Sequence, residues 1–338
     1  MIRFSALGDV AMTVPVIQQA LQQNPQTKIT VVSNALYQPL FSGIERCHFH
    51  PAYIKERHQG VTGLFRLYQE LRKSHHFDAV ADLHGVLRAT ILRSYFRLSG
   101  HTAAVIDKGR SEKKALTRKE HKIYQPLTQT FERYAQVLRK VGLKVHLNQQ
   151  AFPFQKQPLP AHLLVKLGSD KPLVGVAPFA HYIGKMYPAN NMKMVVSELV
   201  KKYRVLLFGS KAESAILDEW VQEMGGVINI AGKYTFSEEL AVISQLSVML
   251  CMDSANMHLA SLFGVRVVSI WGATHPFAGF YGWGQDPVDV VSAELSCRPC
   301  SVFGNKPCWR GDYACMHTIA PEFVVEQIDR IGSVNRKE

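Results

Sequence analysis

Short apolar runs alternate with amphipathic stretches along the whole chain, on both sides of a proline-containing segment at 153–160. The apolar runs predict strands at 2–4, 28–33, 79–83, 103–106, 173–177, 204–208, 248–251 and 265–270. The amphipathic stretches predict helices at 13–23, 63–73, 130–141, 192–202, 212–224, 237–245, 257–262 and 321–331. This alternation is typical of βαβ units on a parallel sheet, and it occurs twice.

The repeated pattern predicts an α/β protein with two Rossmann-like domains. We place the first at 1–158 and the second at 159–320, followed by a C-terminal helical segment, 321–338, that packs back on the first domain. A chain of 338 residues with 47% hydrophobic content can bury two such cores. No apolar run approaches the ~18 residues that span a bilayer, and Asp9 interrupts the apolar start of a signal peptide. We therefore expect a cytoplasmic protein.

Charge is distributed unevenly between the predicted domains. Residues 1–158 contain 23 Lys and Arg against 10 Asp and Glu, whereas residues 159–338 contain 16 against 17. A basic half suits nucleic acid, an anionic membrane surface or an acidic substrate, and charge alone does not choose among them. The densest basic run, 108–122, is also typical of a solvated, mobile loop.

Four of the six cysteines cluster near the C-terminus as Cys297-x2-Cys300-x7-Cys308-x6-Cys315. In a cytosolic protein this spacing argues against disulfides. It allows either a zinc knuckle with four thiolate ligands or reduced cysteines that pack in the interior.

The segment from Val248 to Gly264 predicts a phosphate site. A buried strand leads into the turn Asp253-Ser254-Ala255-Asn256, and a helix carrying Met257 and His258 follows. Such a turn aims the unpaired N–H groups and the positive dipole end of the helix at a ligand above the sheet. Asp253 and Ser254 are also common N-cap residues, so a capped helix without a ligand explains the same pattern.

Three further strand ends carry groups suited to sugar-nucleotide chemistry. Gly8 lets the backbone approach a ligand, and Asp9 beside it can take a proton from a hydroxyl or cap its helix. Lys185 can stabilise charge on a leaving diphosphate, or lie on the surface. Glu213 can hold ribose hydroxyls, or act as an ordinary first-turn glutamate. No strand is followed by G-x-G-x-x-G, which argues against a dehydrogenase.

Together these segments resemble glycosyltransferase family 9, the ADP-heptose:lipopolysaccharide heptosyltransferases. The resemblance covers nearly the whole chain, and the cysteine-rich segment also looks like the C-terminal part of this family. The residues that carry it are 3–9 with Pro15, 82–84, 185–188, 209–213, 231–233, 253–260 and 271–276.

The resemblance implies a GT-B fold, in which two Rossmann-like domains face each other across a cleft. It implies that the first domain binds the acceptor, an anionic lipopolysaccharide core or similar glycan, and that the second binds ADP-heptose. It implies inverting transfer that requires no cofactor or metal, with Asp9 as general base and Lys185 as the phosphate-binding cation. Gly8 would help bind the nucleotide sugar, Glu213 would hold the ribose, and the helix start formed by Asp253, Ser254, Ala255, Asn256, Met257 and His258 would hold the diphosphate.

The basic half then suits a phosphorylated acceptor and peripheral contact with the inner face of the cytoplasmic membrane, without nucleic acid as a partner. Three departures from the family pattern bear on the donor sugar: Phe179-Ala180-His181 in place of a Thr or Ser pair, Tyr187 in place of Trp, and Ala255 in place of Gly. Two alternatives remain: a GT-B sugar-nucleotide epimerase, and a non-enzymatic basic module that binds nucleotide, RNA or membrane.

Overall fold

The computed structural model describes residues 1–168 and 171–334, and the chain divides into two compact units. The first unit contains Met1–Arg110 and Thr128–Pro153, and the second contains Ser111–Leu127 and the chain from Phe154 onward. This division differs from the predicted boundary at 158, because the first unit ends at Pro153 and residues 111–127 group with the second unit. Residues 111–127 belong to the second unit because their backbone is bonded there, as in the 2.9 Å hydrogen bond from Leu127 N to Phe277 O.

The helices of the described residues include every predicted one, with ends shifted by a few residues. In chain order they are α1 Leu7–Ala11, α2 Thr13–Gln23, α3 Gly60–Ser74, α4 Leu87–Leu98, α5 Arg110–Leu116, α6 Thr130–Lys140, α7 Ala161–Leu167, α8 Ala189–Leu199, α9 Ser214–Glu223, α10 Phe236–Ser244, α11 Ala255–Leu262, α12 Ala314–His317 and α13 Pro321–Val334. Among these helices none is long and apolar enough to cross a membrane.

Parallel strands form the centre of the first unit. They are β1 Ile29–Ser33, β2 Cys47–Pro51, β3 Ala79–Asp82 and β4 Thr102–Val105. β1 pairs with β2 and β3 pairs with β4, while Ile2 bridges in parallel to Val32 of β1 and to Asp82 of β3. The segment at Ile2 thus acts as the central strand, and the chain winds outward from it in both directions. The strand order therefore reverses between Ile2 and β3, and such a position is called a topological switch point.

The second unit contains one six-stranded parallel sheet. Its strands are β5 Leu173–Ala177, β6 Arg204–Leu207, β7 Val227–Asn229, β8 Val248–Met252, β9 Arg266–Trp271 and β10 Val290–Ser292. The order β10-β9-β8-β5-β6-β7 is that of a doubly wound Rossmann sheet. The chain builds outward from β5 through β6 to β7 and then returns to place β8 on the other side, so the switch point lies between β5 and β8. The sequence pattern missed β7 and β10 because each contains only three residues.

The last helix completes the core of the second unit. Val324, Ile328 and Ile331 of α13 are fully buried, in the same apolar cluster as Val196 and Leu199 of α8. The described part of the C-terminal segment thus belongs to the second unit, and its packing on the first domain stays a prediction. Its i, i+4, i+7 apolar stripe correctly indicated a buried face, but the sequence does not say which core that face joins. Residues 335–338 lie outside the described residues.

We expect Ile328→Ala to lower the free energy of unfolding by about 2–5 kcal/mol, because it removes methyl groups from a closely packed interior. The control is Phe323→Ala on the same helix, where 44% of the side chain is exposed. Urea unfolding of both variants measures the difference. Equal losses in the two variants would show that α13 does not contribute to the core as described.

Candidate functional site

The switch point of the second unit holds a lysine and an aspartate in direct contact. Lys185 lies in a short 3₁₀ turn, Ile183–Lys185, beyond the carboxyl end of β5, and Asp253 directly follows β8. The Lys185 Nζ lies 2.7 Å from Asp253 Oδ2 and donates a 3.2 Å hydrogen bond to the Asp253 carbonyl oxygen. Both side chains are largely buried, at 17% and 7% exposure. The sequence predicted both residues for this site, and the sheet order brings them together.

The loops around Lys185 fix its position. Ala273 N, just beyond β9, donates a 2.8 Å hydrogen bond to Gly184 O. Gly304 has a φ of +76°, and a Cβ at this position would lie 2.6 Å from Lys185 Cγ. A glycine is therefore required at 304 both by backbone conformation and by the path of the lysine side chain. Lys185 is not a mobile surface cation, which excludes the alternative interpretation of this residue.

The start of α11 offers unused backbone donors beside this ion pair. Ser254 is the N-cap residue, in an extended conformation, and its side chain makes no capping hydrogen bond. The N–H groups at Ala255 and Asn256 therefore face the end of the sheet without the usual side-chain acceptor. Met257 is fully buried and His258 is 7% exposed, so these two side chains belong to the interior. Any contact of Met257 with a ligand would have to come from its backbone.

A buried arginine, which the sequence analysis did not single out, shapes the neighbouring loop. Arg298 is 6% exposed, and its guanidinium donates to the carbonyl oxygens of Trp271, Gly272, Thr274 and Ala293 at 2.5–3.3 Å. Burial lowers its pKa. The only sequence signal was an arginine between Cys297 and Pro299, which by itself does not distinguish a buried loop organiser from a surface residue.

Thr274 and Glu213 lie at the ends of the strands on either side. The Thr274 hydroxyl is buried and has no hydrogen-bond partner among the described residues. Glu213 Oε2 accepts a 2.6 Å hydrogen bond from Ser210 N, in the turn that follows β6. This bond shows that Glu213 stabilises its own turn, and the partly exposed carboxylate remains at the edge of the sheet.

Two residues that depart from the family pattern, Tyr187 and Phe179, have a structural explanation. Tyr187 is 1% exposed and donates a 2.8 Å hydrogen bond to Ile319 O, so it fills an aromatic position in the core. The Phe179 ring packs edge-on against Trp220, with centroids 5.9 Å apart. Two of the unusual residues are therefore directed into the apolar interior of the unit.

The switch point of the first unit holds Asp9. Arg3 Nη2 lies 2.6 Å from Asp9 Oδ2, and Arg3 Nη1 donates to Leu83 O at 2.8 Å. The side chain of Asp9 is 30% exposed, whereas that of Arg3 is 8% exposed. Asp9 and Gly8 lie in α1, which begins where the central strand segment ends. Its carboxylate is therefore oriented by a buried cation and still accessible from one side.

A loop after β3 places further polar groups near Asp9. Asp82 is fully buried and accepts hydrogen bonds from His84 N, Gly85 N and Arg93 Nη1 at 2.6–2.9 Å. Burial and the charges of Arg3 and Lys108 lower the pKa of His84 to about 4, so this imidazole is neutral at pH 7. Burial and the charge of Arg3 also lower the pKa of Lys108. The neighbourhood of Asp9 is thus positively charged and suits an anionic ligand.

The structure groups the predicted site residues into two sets, one in each unit. Gly8 and Asp9 lie at the first switch point, and Lys185, Glu213 and 253–258 lie at the second. Carboxyl ends of strands at a switch point are where open α/β sheets bind ligands.

The cysteine-rich segment forms a packed cluster. Cys297, Cys300, Cys308 and Cys315 line one cavity of about 10 Å³, and all four are free thiols. Burial raises the pKa of Cys315 to about 11 and also raises that of Cys300. Among the described residues, no three His, Cys, Asp or Glu side chains are arranged to hold a metal ion. Cys300 and Cys315 are buried and fit the interpretation of packing cysteines, whereas Cys297 and Cys308 are half-buried.

Part of the basic run at 108–122 is ordered. α5 covers Arg110–Leu116, and Lys113 is 8% exposed, with its Nζ 4.1 Å from the centroid of the Phe280 ring. Lys122 Nζ donates 2.9 Å hydrogen bonds to the carbonyl oxygens of Cys297 and Arg298. These lysines stabilise the second unit, so the mobile-loop interpretation is wrong for them.

Comparisons with known proteins agree with the resemblance. The model of glycosyltransferase family 9 (heptosyltransferase) matches residues 64–307. Lipooligosaccharide heptosyltransferase 2 of Campylobacter jejuni is 26% identical over 199 residues, which are 57% of this chain and 61% of that protein. The chain thus spans about three-fifths of that relative's length. Lipopolysaccharide heptosyltransferase 3 of Escherichia coli is 26% identical over 284 residues, 79% of this chain and 81% of that protein.

Solved structures share the fold over nearly the whole chain. A family 9 glycosyltransferase from Veillonella parvula is 18% identical, with a TM-score of 0.74, and the match covers 98% of this chain and 95% of that one. Escherichia coli ADP-heptose lipopolysaccharide heptosyltransferase II is 18% identical, with a TM-score of 0.65 and coverage of 98% and 97%. The likeness confirms the expected fold, GT-B with two Rossmann-like domains. The chain belongs to glycosyltransferase family 9, the heptosyltransferase family.

Proposed function

We propose that this protein is a glycosyltransferase that moves heptose, or a related sugar, from ADP-heptose to a lipopolysaccharide core or similar glycan. The observation that carries the proposal is the buried Lys185–Asp253 ion pair beside the uncapped start of α11, at the switch point of a family 9 chain. A lysine and free backbone N–H groups at one sheet edge are the donors that a diphosphate requires. The Escherichia coli heptosyltransferase solved with ADP supports this choice of nucleotide.

Lys185 changes partners in the proposed donor complex. Without a ligand its charge is balanced by Asp253, at 2.7 Å. A bound diphosphate offers Lys185 and the first N–H groups of α11 a stronger anionic partner, while the Asp253 carboxylate becomes available to accept hydrogen bonds from sugar hydroxyls. Negative charge on the diphosphate grows as the glycosidic bond breaks, so these donors stabilise the transition state more than the bound donor.

Asp9 is the proposed general base. Arg3 holds Oδ2 of the carboxylate, which leaves Oδ1 to take the proton of the acceptor hydroxyl. The hydroxyl oxygen then attacks the anomeric carbon from the face opposite the diphosphate, the bond from that carbon to the diphosphate oxygen breaks, and ADP leaves. One displacement inverts the anomeric configuration. Lys185 and the α11 N–H groups supply the positive charge for this step, so we propose that it requires no metal.

The positive neighbourhood of Asp9 supports an anionic acceptor. Positive charges near Asp9 lower the pKa values of His84 and Lys108, and His84 stays neutral. These charges belong to Arg3, Arg88, Lys108 and Arg110. Phosphate or carboxylate groups on the acceptor would be attracted to this edge of the sheet. We propose that the protein works at the cytoplasmic face of the membrane that carries such an acceptor, and that nucleic acid is not a partner.

We expect Lys185→Ala to weaken ADP binding about 10- to 100-fold, because it removes a charge-assisted hydrogen bond to the diphosphate. Calorimetric titration with ADP, UDP and GDP, without added metal, measures the effect. Lys193→Ala is the control, because Lys193 pairs on the surface with Glu223 at 2.6 Å. Preference for UDP or GDP in the unmodified protein would contradict ADP-heptose as donor.

We expect Asp9→Asn to lower kcat about 100- to 10,000-fold, because the amide cannot accept the hydroxyl proton. ADP affinity should stay unchanged, since Asp9 lies in the other unit from the donor site. Transfer from ADP-heptose to a deacylated lipopolysaccharide core gives the rate, and Asp78→Asn, an exposed carboxylate of the same unit, is the control. Normal turnover by Asp9→Asn would remove Asp9 from the mechanism. Isomerised nucleotide sugar without any acceptor would indicate the epimerase instead.

A further inference from the structure

An apolar face that the described residues leave exposed runs along two neighbouring helices of the first unit. We call it the α3–α4 face. Val61, Phe65, Leu87 and Leu98 are 60%, 44%, 76% and 85% exposed, and half-buried Ile91 and Tyr95 complete the face. Exposed apolar side chains are ordinary when scattered singly, but a contiguous group of them marks an interaction surface.

Contacts within the unit show that these side chains form one surface. The rings of Phe65 and Tyr95 pack edge to face with centroids 5.3 Å apart, and the Tyr95 hydroxyl donates a 3.2 Å hydrogen bond to Val61 O. On α4 the positions 87, 91, 95 and 98 follow helical spacing and therefore share one side of the helix. From Leu87 to Leu98 this side extends about 16 Å along the helix axis.

The charged residues around the face are mainly basic. Arg66 and Arg88 are exposed beside it, and Arg57 lies three residues before α3. The nearby carboxylates are Glu56, which is exposed, and Glu70, which is shared among Arg57, His50 and His58. The whole first unit contains 17 Lys and Arg against 8 Asp and Glu. An apolar stripe bordered by arginines matches a bilayer surface with anionic lipids, which offers both hydrocarbon and negative charge.

The face also lies close to the proposed acceptor site. Leu87 and Arg88 come directly after the loop that holds His84, and the charge of Arg88 contributes to the lowered pKa of that histidine. Leu87 thus follows His84 by three residues, and the charge of Asp9 also acts on the pKa of that histidine. An acceptor with its lipid end in a membrane and its sugar at Asp9 fits this arrangement.

From these observations we propose that the α3–α4 face docks on anionic lipid membranes, with α4 lying along the membrane surface and its apolar side chains inserted. The proposal deepens the proposed function, on which it rests for the membrane-borne acceptor. It assigns the partner of this face as lipid rather than a second copy of the chain.

Vesicle flotation tests the proposal without any catalytic step. The full-length protein is mixed with vesicles of phosphatidylcholine alone or with about one-third phosphatidylglycerol. We expect binding to the anionic vesicles and at least a tenfold loss of partition in the double variant Leu87→Ser/Leu98→Ser. Val165→Ser is the matched control, because Val165 is 86% exposed on α7 of the second unit.

A second pair of variants tests the contribution of the arginines beside the α3–α4 face. Arg66→Gln/Arg88→Gln should lose binding to anionic vesicles, whereas Lys201→Gln/Lys306→Gln, two exposed lysines of the second unit, should bind normally. Equal binding to neutral and anionic vesicles, or equal loss in the control variants, would overturn the proposal. A change from dimer to monomer in Leu87→Ser/Leu98→Ser, measured by light scattering, would also overturn it, because the face would then join two copies.

Activity separates this proposal from the proposed function. The Leu87→Ser/Leu98→Ser variant should transfer sugar to a deacylated, soluble core at the normal rate and lose transfer to the same core in anionic vesicles. Loss with both acceptors would overturn the membrane proposal in favour of a folding or active-site effect. An unmodified protein that binds vesicles but transfers no sugar would contradict the proposed function and leave the docking face standing.

Discussion

Parallel strand pairing is the constraint on which the rest of this structure depends. Because all strands of a parallel sheet point the same way, every loop that follows a strand emerges at one edge. In each unit the chain winds outward from a central strand in both directions, which opens a gap between the two loops that diverge there. Asp9 follows the central segment of the first unit, and Lys185 follows the central strand of the second. The residues with the clearest chemistry thus lie at the two positions that the topology leaves open.

Buried charge keeps these loops in place. The Arg298 guanidinium donates hydrogen bonds to four carbonyl oxygens in the loop next to the proposed donor site. Arg3 contacts both the Asp9 carboxylate and the backbone after β3. Removal of the Arg298 side chain would leave several buried carbonyl oxygens without their hydrogen-bond donors. Lys185 is held by the carboxylate and the carbonyl oxygen of Asp253, and in the proposed donor complex a diphosphate takes the place of the carboxylate. The loops of the site are therefore held by buried arginines, whereas Lys185, which is proposed to contact the ligand, can exchange its partner.

The first unit combines a positive neighbourhood around Asp9 with an exposed apolar stripe on α3 and α4. A soluble sugar acceptor would need only the first. Under the two proposals above, this combination would suit a molecule that carries an anionic glycan on a lipid. By contrast, two lysines of the densest basic run, Lys113 and Lys122, contact an aromatic ring and carbonyl oxygens within the second unit. Counting charges along the chain did not separate these roles.

The sequence by itself determined the α/β class, the positions of most strands and helices, and the residues at the strand ends, because periodicity and local turn chemistry are properties of short segments. Its motifs also carried the family resemblance. Only the tertiary structure decided that Lys185 pairs with Asp253, that Ser254 does not cap α11, that residues 111–127 join the second unit, and that α13 packs there. Each of these depends on contacts between residues far apart in the chain. Local patterns show that a side chain is apolar or charged, but the partner it meets is set by the order in which the strands assemble.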